Sequence, residues 1–177
     1  VELGAFDEDP LADSWDVALR VGASDNPALV SRALGSPPAL LCATPAYLQK
    51  RGAPTIPEEL DRHDLLTPAQ DAQRHVLRFV QGNRRAEVTI TPKLAVNDPA
   101  LLHSSTAAGL GIGLLPEFLC KQGLATGKLK RVLEDWELPE QPPLCAITPA
   151  RLAQDVRVIA LVDFLAANLV PALAASP

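Results

Sequence analysis

The chain has 177 residues, of which 47% are hydrophobic and only 4% aromatic, and its 16 Lys and Arg against 21 Asp and Glu give a formal net charge of −5. That is enough for one domain or two small lobes around a core of Leu, Val, Ile and Ala. It excludes a basic nucleic-acid surface, since the densest cationic groups, Gln49-Lys50-Arg51 and Lys128-Leu129-Lys130-Arg131, are short and sit among acids. No apolar run approaches the roughly 20 residues of a membrane span. The three cysteines, Cys42, Cys120 and Cys145, fit neither a metal spacing nor a disulfide framework. A reducing cytoplasm is therefore the expected setting, with no cofactor and no metal. Val1-Glu2-Leu3-Gly4 is not a signal peptide, and without a starting Met the chain reads as an excised piece.

Val1 to Leu3 reads as a short strand, and Gly4 to Ser14 as acidic and irregular with one helical turn near Pro10-Leu11-Ala12. Asp16 to Gly22 is apolar on both faces around Ala18 and Leu19, as in an interior strand of a helix-covered sheet. Ser24 to Pro27 is a polar turn, Leu29 to Leu34 a strand, and Gly35-Ser36-Pro37-Pro38 breaks it. Leu40-Leu41-Cys42-Ala43-Thr44-Pro45-Ala46 is echoed by Leu144-Cys145-Ala146-Ile147-Thr148-Pro149-Ala150. Each is a short apolar strand that proline turns in a new direction. The echo predicts two strands with the same job, where the chain enters a second lobe and returns. Lobe I is then 1–44 with 149–177, and lobe II is 45–148.

Within lobe II, Pro45 to Arg51 reads as a helix ended by Gly52. Thr55 and Glu58 match a capping box, which opens a short helix to about Arg62. Leu65-Leu66 is a strand and Thr67 to His75 a polar loop. Val76 to Val80 and Ala86 to Thr91 are strands of a hairpin turning at Gln81-Gly82-Asn83-Arg84. In the stretch that follows, Asn97 or Asp98 caps a helix, Pro99 takes an early position where no amide donor is needed, and Gly109 and Gly111 end it. Ile112, Leu114 and Leu115 form a buried strand stopped by Pro116. Such a helix presents free amides and a partial positive charge at Asn97 and Asp98, suited to an anionic or polar small molecule; the alternative is an ordinary capped helix. Pro116 to Gln122 is a helix closed by Gly123, Leu129 to Leu133 a strand, and Glu134 to Pro143 a linker. Asp155 caps a last helix whose Val158, Ile159, Leu161, Val162, Leu165 and Leu169 make a broad apolar face against lobe I, and Pro171 ends it.

Six of these segments in order resemble the effector-binding domain of LysR-type transcriptional regulators. They are Asp16 to Gly22, Leu41 to Leu48, Gly52-Ala53-Pro54, Leu60 to Asp64, Asn97-Asp98 with Ala108 to Pro116, and the Val156 to Leu165 helix. The resemblance runs from about Trp15 to Leu169. It implies an α/β, two-lobed fold like the type II periplasmic binding proteins, with lobes joined by two crossover strands and a small effector between them. It implies a bacterial cytoplasmic regulator that is a homodimer or tetramer on DNA. The family's DNA-binding domain and the first strand and helix of its effector domain have no counterpart in the sequence.

Against that frame, Thr44 and Thr148 are candidate hydroxyl donors to an effector carboxylate, the alternative being strand-end residues bonding their own backbone. Asn97 is a candidate at the cap position, leaving Asp98 to face its helix amides. Arg20 offers a fixed cation for an acidic effector, or a structural ion pair with Asp16 or another acid. Gly22 and Ala23 let a ligand approach the backbone, or simply form a turn. Cys42 and Cys145 are weighed as a redox pair against two small buried apolar residues. His103 has no His or Cys four residues away and predicts no metal site. With no G-x-S-x-G elbow, H-E-x-x-H or phosphate-binding glycine loop, the chain is not expected to be an enzyme. The remaining alternative is a periplasmic-type solute receptor for transport.

Overall fold

The computed structural model describes residues 15–68, 75–139 and 142–174. The strand expected at Val1 to Leu3, the Gly4 to Ser14 segment and most of the Thr67 to His75 loop lie outside these. The chain divides into two compact units, Val1–Ser36 with Pro142–Leu173 (lobe I) and Pro37–Gln141 with Ala174–Pro177 (lobe II). The passages between them fall at Ser36–Pro37 and Gln141–Pro142, earlier than the boundaries drawn at 44 and 148. The reason is that the two echoing strands are not shared between sheets. Each is paired throughout within one.

In lobe II the sheet has the order β7-β4-β8-β3-β9, formed by β3 (Ala39–Ala43), β4 (Leu65–Thr67), β7 (Leu94–Ala95), β8 (Ile112–Pro116) and β9 (Lys130–Val132). β4 runs parallel to β7 and β8, and β3 runs antiparallel to both β8 and β9. Successive residues face opposite sides, and both sides are covered. Leu41, Ala43, Leu65, Ile112, Leu114 and Val132 pack with Tyr47, Leu60, Phe79, Val88, Ile90 and Trp136. Leu40, Cys42, Leu66 and Leu115 pack with Leu102, Cys120 and Leu129. The first layer includes the hairpin β5 (His75–Gln81) and β6 (Arg84–Ile90), whose two-residue turn starts at Gly82 with φ +57. A residue without Cβ suits that position, where tight hairpin turns want positive φ.

The helices are α1 (Pro45–Arg51), α2 (Pro99–Ala107) and α3 (Glu117–Ala125), with a 3-10 turn at Pro57–Arg62. Three local expectations change. Thr55 meets Glu59 rather than Glu58, its amide donating to the Glu59 carboxylate at 2.7 Å, because a 3-10 turn shifts the side chains off the helical capping register. Gly123 does not end α3. A Cβ there would come within 2.8 Å of Leu129 Cδ1, so the glycine is the groove into which Leu129 packs. The helix stops at Thr126 and Gly127, where φ is +69. The expected linker after Glu134 is partly core: Trp136 is buried, Glu137 pairs with Val80, and the Arg84 guanidinium lies 5.1 Å from the Trp136 ring centroid.

In lobe I, β10 (Leu144–Pro149) lies between β1 (Ala18–Val21) and β2 (Leu29–Gly35), antiparallel to both. Among the described residues β1 is an edge strand with Leu19 and Val21 exposed, not the doubly covered interior strand expected from its composition. The helix α4 (Val156–Ala174) packs Val158 and Val162 against Ala146, Val17 and Leu34. Ile159 and Leu161, expected on the buried face, are exposed. Asp155 caps it, and the bonds from Arg157 hold that carboxyl down at about 2. The helix runs through Pro171, since a proline so near the end forfeits one amide bond and interrupts little beyond it.

Candidate functional site

Of the two cap candidates at the start of α2, the structure uses the second. Asp98, not Asn97, is the cap: its Oδ1 accepts from the amides of Ala100 at 2.7 Å and Leu101 at 3.3 Å. Leu102 donates to the Asp98 carbonyl, and Pro99 has no amide. The first turn therefore has no amide left to offer, and a carboxylate already stands at its positive end. The helix N-terminus is not an anion site. Asn97 is exposed, one residue before the cap.

The sheet's own polarity places the candidates better. Open α/β sheets take ligands outside the carboxyl ends of their parallel strands. In lobe II those ends are Thr67 on β4, the Ala95-Val96-Asn97 exit from β7, and Pro116 on β8. Val96 donates to the Thr67 carbonyl at 3.1 Å, so the Asn97 backbone leaves directly beside Thr67. Thr67 is buried at 4% exposure, and its Oγ1 is the one buried side-chain oxygen without a hydrogen-bond partner among the described residues. An unpaired buried hydroxyl costs about 1–3 kcal/mol and calls for an explanation. Sequence reasoning placed Thr67 at the start of a polar loop. The only available signal was a Thr ending a two-residue apolar strand.

Thr44 lies at the opposite edge. β3 is antiparallel to β8, so its end meets the start of β8. There Thr44 Oγ1 caps α1 by accepting from the Tyr47 amide at 3.2 Å, and it sits 3.3 Å from where a Cβ on Gly109 would be. Gly109 follows the C-terminus of α2 and Asn97 precedes its N-terminus. Nine helical residues span about 14 Å, so the structure does not bring Thr44 and Asn97 together. Thr44 does what its sequence alternative described: it bonds local backbone.

In lobe I, Arg20 stands opposite Cys145 on the paired strand β10. Directly opposed residues share a face, and Thr148, an odd number of residues along β10, points to the other. Arg20 thus lies on the side of Ala18, Cys145 and Ile147, while Thr148 lies on the side of α4. Thr148 is buried and borders a hollow of about 80 Å³ lined also by Val30, Arg32, Ala146, Val158 and Val162. That is well below the roughly 300 Å³ at which small-molecule sites begin. Gly22, with φ +84, donates its amide to the Pro143 carbonyl at 2.8 Å, which removes it as a ligand donor; Ala23 beside it is exposed.

The other polar cluster of lobe II is structural. Tyr47 Oη accepts from the Asp64 amide at 3.0 Å and lies 3.4 Å from His63 Nδ1. The Asp64 carbonyl accepts from Ile112, and Lys93 pairs with the Asp64 carboxylate at 3.0 Å. Burial, then the Arg51 charge, lowers the His63 pKa against the pull of Glu59 and Asp64. Of the two readings weighed for them, Cys42 and Cys145 are small buried apolar residues, Cys42 with Cys120 in the lobe II core and Cys145 in the lobe I core. Among the described residues no group of three metal-ligating side chains occurs, and no helix is long and apolar enough to cross a membrane.

A mixed α/β sheet reached and left through two chain passages, with Thr67 and Asn97 at the carboxyl edge of its parallel strands, defines a two-lobed domain of the periplasmic-binding-protein type. The LysR substrate binding domain family matches residues 6–170, and the chain belongs to that family. It is 33% identical over 173 residues to an HTH-type transcriptional regulator of Xanthomonas campestris pv. campestris, covering 96% of this chain and 50% of that protein. It is 31% identical over 156 residues to the regulator CrgA of Neisseria meningitidis serogroup C, covering 87% of this chain and 51% of that protein. The solved CrgA regulatory domain, a LysR-type transcriptional regulator of Neisseria meningitidis, superposes with a TM-score of 0.67 at 29% identity, covering 87% of this chain and 75% of that one. The LysR-type virulence activator AphB of Vibrio cholerae gives 0.68 at 27%, covering 91% and 54%. The chain spans about half the length of the curated relatives it matches. These relatives are regulators, and the transport alternative finds no support among them.

Proposed function

We propose that this chain is the effector-sensing part of a bacterial LysR-type transcriptional regulator and not an enzyme. A small molecule binds one arrangement of the domain better than another and shifts its population. The shift changes the arrangement of a homodimer or tetramer and so the DNA binding carried by the rest of the regulator, in the cytoplasm. The match over residues 6–170 supports this reading of the function. The unpaired hydroxyl of Thr67 supports the carboxyl edge of the lobe II sheet as the place of contact. There Thr67 donates and the Asn97 amide donates or accepts, a pair suited to a small carboxylic acid or polar aromatic. In lobe I, Arg20 and Ala23 remain the candidates; Thr148 falls away because it borders only a small hollow on the α4 side, and Gly22 and, in lobe II, Thr44 because a carbonyl and the local backbone already engage them.

A thermal-shift screen with small organic acids and polar aromatics tests the proposal. A ligand at a hundred times its Kd adds about 2.7 kcal/mol of stability. The expected result is a saturable rise in Tm that is lost in Thr67→Val and reduced in Asn97→Ala. A rise unchanged in both variants would remove this edge from the site. Turnover of the bound compound, seen by mass spectrometry, would replace the sensor with an enzyme.

A further inference from the structure

In lobe II a histidine faces a buried hydroxyl just where a sheet strand begins. His63 is half-buried, and its Nδ1 lies 3.4 Å from the hydroxyl of the buried Tyr47. That hydroxyl also accepts from the Asp64 amide at 3.0 Å. The Asp64 carbonyl in turn accepts from Ile112 at 2.9 Å and leaves no room for a Cβ on Gly111. One residue further on β4 begins, and it ends at Thr67. We propose that Tyr47, His63 and Asp64 form an acid-sensitive latch: with His63 neutral it fastens the start of β4 to α1, and protonation of His63 releases it. The latch stands apart from the choice of effector; its bearing on sensing rests on Thr67 being the contact proposed above.

Donor arithmetic fixes the closed state. A phenol has a single proton to give. With the Asp64 amide pointing at its oxygen, that proton goes to His63, so Nδ1 is bare and the neutral ring carries its hydrogen on Nε2. Protonation puts a hydrogen on Nδ1. Two donors then point at one oxygen, and the phenol proton loses its acceptor. Both neighbouring carboxylates are already engaged. Glu59 accepts from the Thr55 amide at 2.7 Å and the Thr55 hydroxyl at 3.2 Å, and Asp64 pairs with Lys93 at 3.0 Å. From α1, Arg51 donates to the Arg62 carbonyl at 2.9 Å, and its charge repels an imidazolium. β6 packs on the same 3-10 turn and pairs its Glu87 with Arg78. Burial and Arg51 outweigh Glu59 and Asp64, so the folded ring gives up its proton more readily than a free histidine. The proton therefore binds the open form better and shifts the chain toward it.

The latch sits at one end of a short strand and Thr67 at the other. β4 has three residues, so about 10 Å of extended backbone separates Asp64 from Thr67. β4 is paired on one side to β8, which begins at Ile112, and on the other to β7. Movement at Asp64 therefore disturbs the start of β8 directly and reaches Thr67 through a strand too short to absorb it. The Val96 amide, bonded to the Thr67 carbonyl, reports on that far end.

Histidine NMR and amide hydrogen exchange of the chain, from about pH 7.5 to about pH 5, test this. At neutral pH the His63 ring should carry hydrogen on Nε2 alone. On acidification the Asp64 and Ile112 amides should lose protection, corrected for the intrinsic exchange rate. The loss should follow the His63 titration curve, below the ordinary value of about 6.5. The Val96 amide should follow with a smaller loss. Tyr47→Phe should leave the Asp64 amide unprotected already at neutral pH and so abolish the step. His63→Gln should keep that amide protected throughout, and it carries the test if Tyr47→Phe does not fold. His103→Gln should leave the step in place. A neutral His63 ring with hydrogen on Nδ1, or an Asp64 amide that ignores the His63 titration, would overturn the latch. A step confined to Asp64 and Ile112 would overturn its link to Thr67.

Discussion

The two lobes use the same strand for opposite surroundings. β3 and β10 carry the shared Leu-Cys-Ala pattern, and each is flanked on both sides by antiparallel neighbours of its own sheet. Around β3 both faces of a five-stranded sheet are buried. Around β10 the described sheet has three strands, with α4 on one side, and Leu19, Val21, Val30 and Phe164 are exposed. A sequence echo therefore reports a strand's place in its sheet, not what covers that sheet. Among the described residues the two larger buried clusters and the unpaired Thr67 hydroxyl lie in lobe II.

Paired truncations are the strongest way to break that comparison. Leu102→Ala, in the fully covered lobe II core, should cost about 2–5 kcal/mol in urea unfolding, and Val162→Ala under α4 about 1–3 kcal/mol. A Val162 variant that costs as much as the Leu102 variant would place the core evenly in both lobes. Next in size, Asp98→Ala should cost about 1 kcal/mol by releasing the α2 cap. Thr67→Val keeps the shape and deletes an unpaired buried hydroxyl, so without effector it should be neutral or gain up to about 1 kcal/mol. A loss there would mean that the hydroxyl is already bonded.

The smallest effect is a pH dependence. The folded pKa of His63 is lowered, so below the unfolded value near 6.5 the unfolded chain binds the proton first. Its contribution is complete above that value and declines as pH falls toward the folded pKa. Between pH 7 and 5 the midpoint denaturant concentration should fall less in His63→Gln than in the parent chain. An equal fall in both would assign the dependence to other groups.

Short-range features were legible in advance. The cap at Asn97 or Asp98 ahead of Pro99, the Gly109 exit, the hairpin at Gly82, and the Asp155 cap all depend on residues within a turn of one another. The misreadings share a different cause. Gly123 serves Leu129, and Trp136 serves Phe79 and Val88 across the sheet layer, neither of which spacing can register. Thr67 was missed because a hydroxyl becomes significant only when its surroundings bury it and leave it unpaired.

Composition, the order of strands and helices, and the family resemblance were set by the chain itself, because hydrophobic period, caps and breakers act through neighbouring residues. Tertiary structure decided which strand ends share an edge, which core each cysteine joins, and which polar atom lacks a partner. Those depend on the direction of each strand in its sheet, and parallel or antiparallel pairing between distant segments leaves no mark on either segment alone.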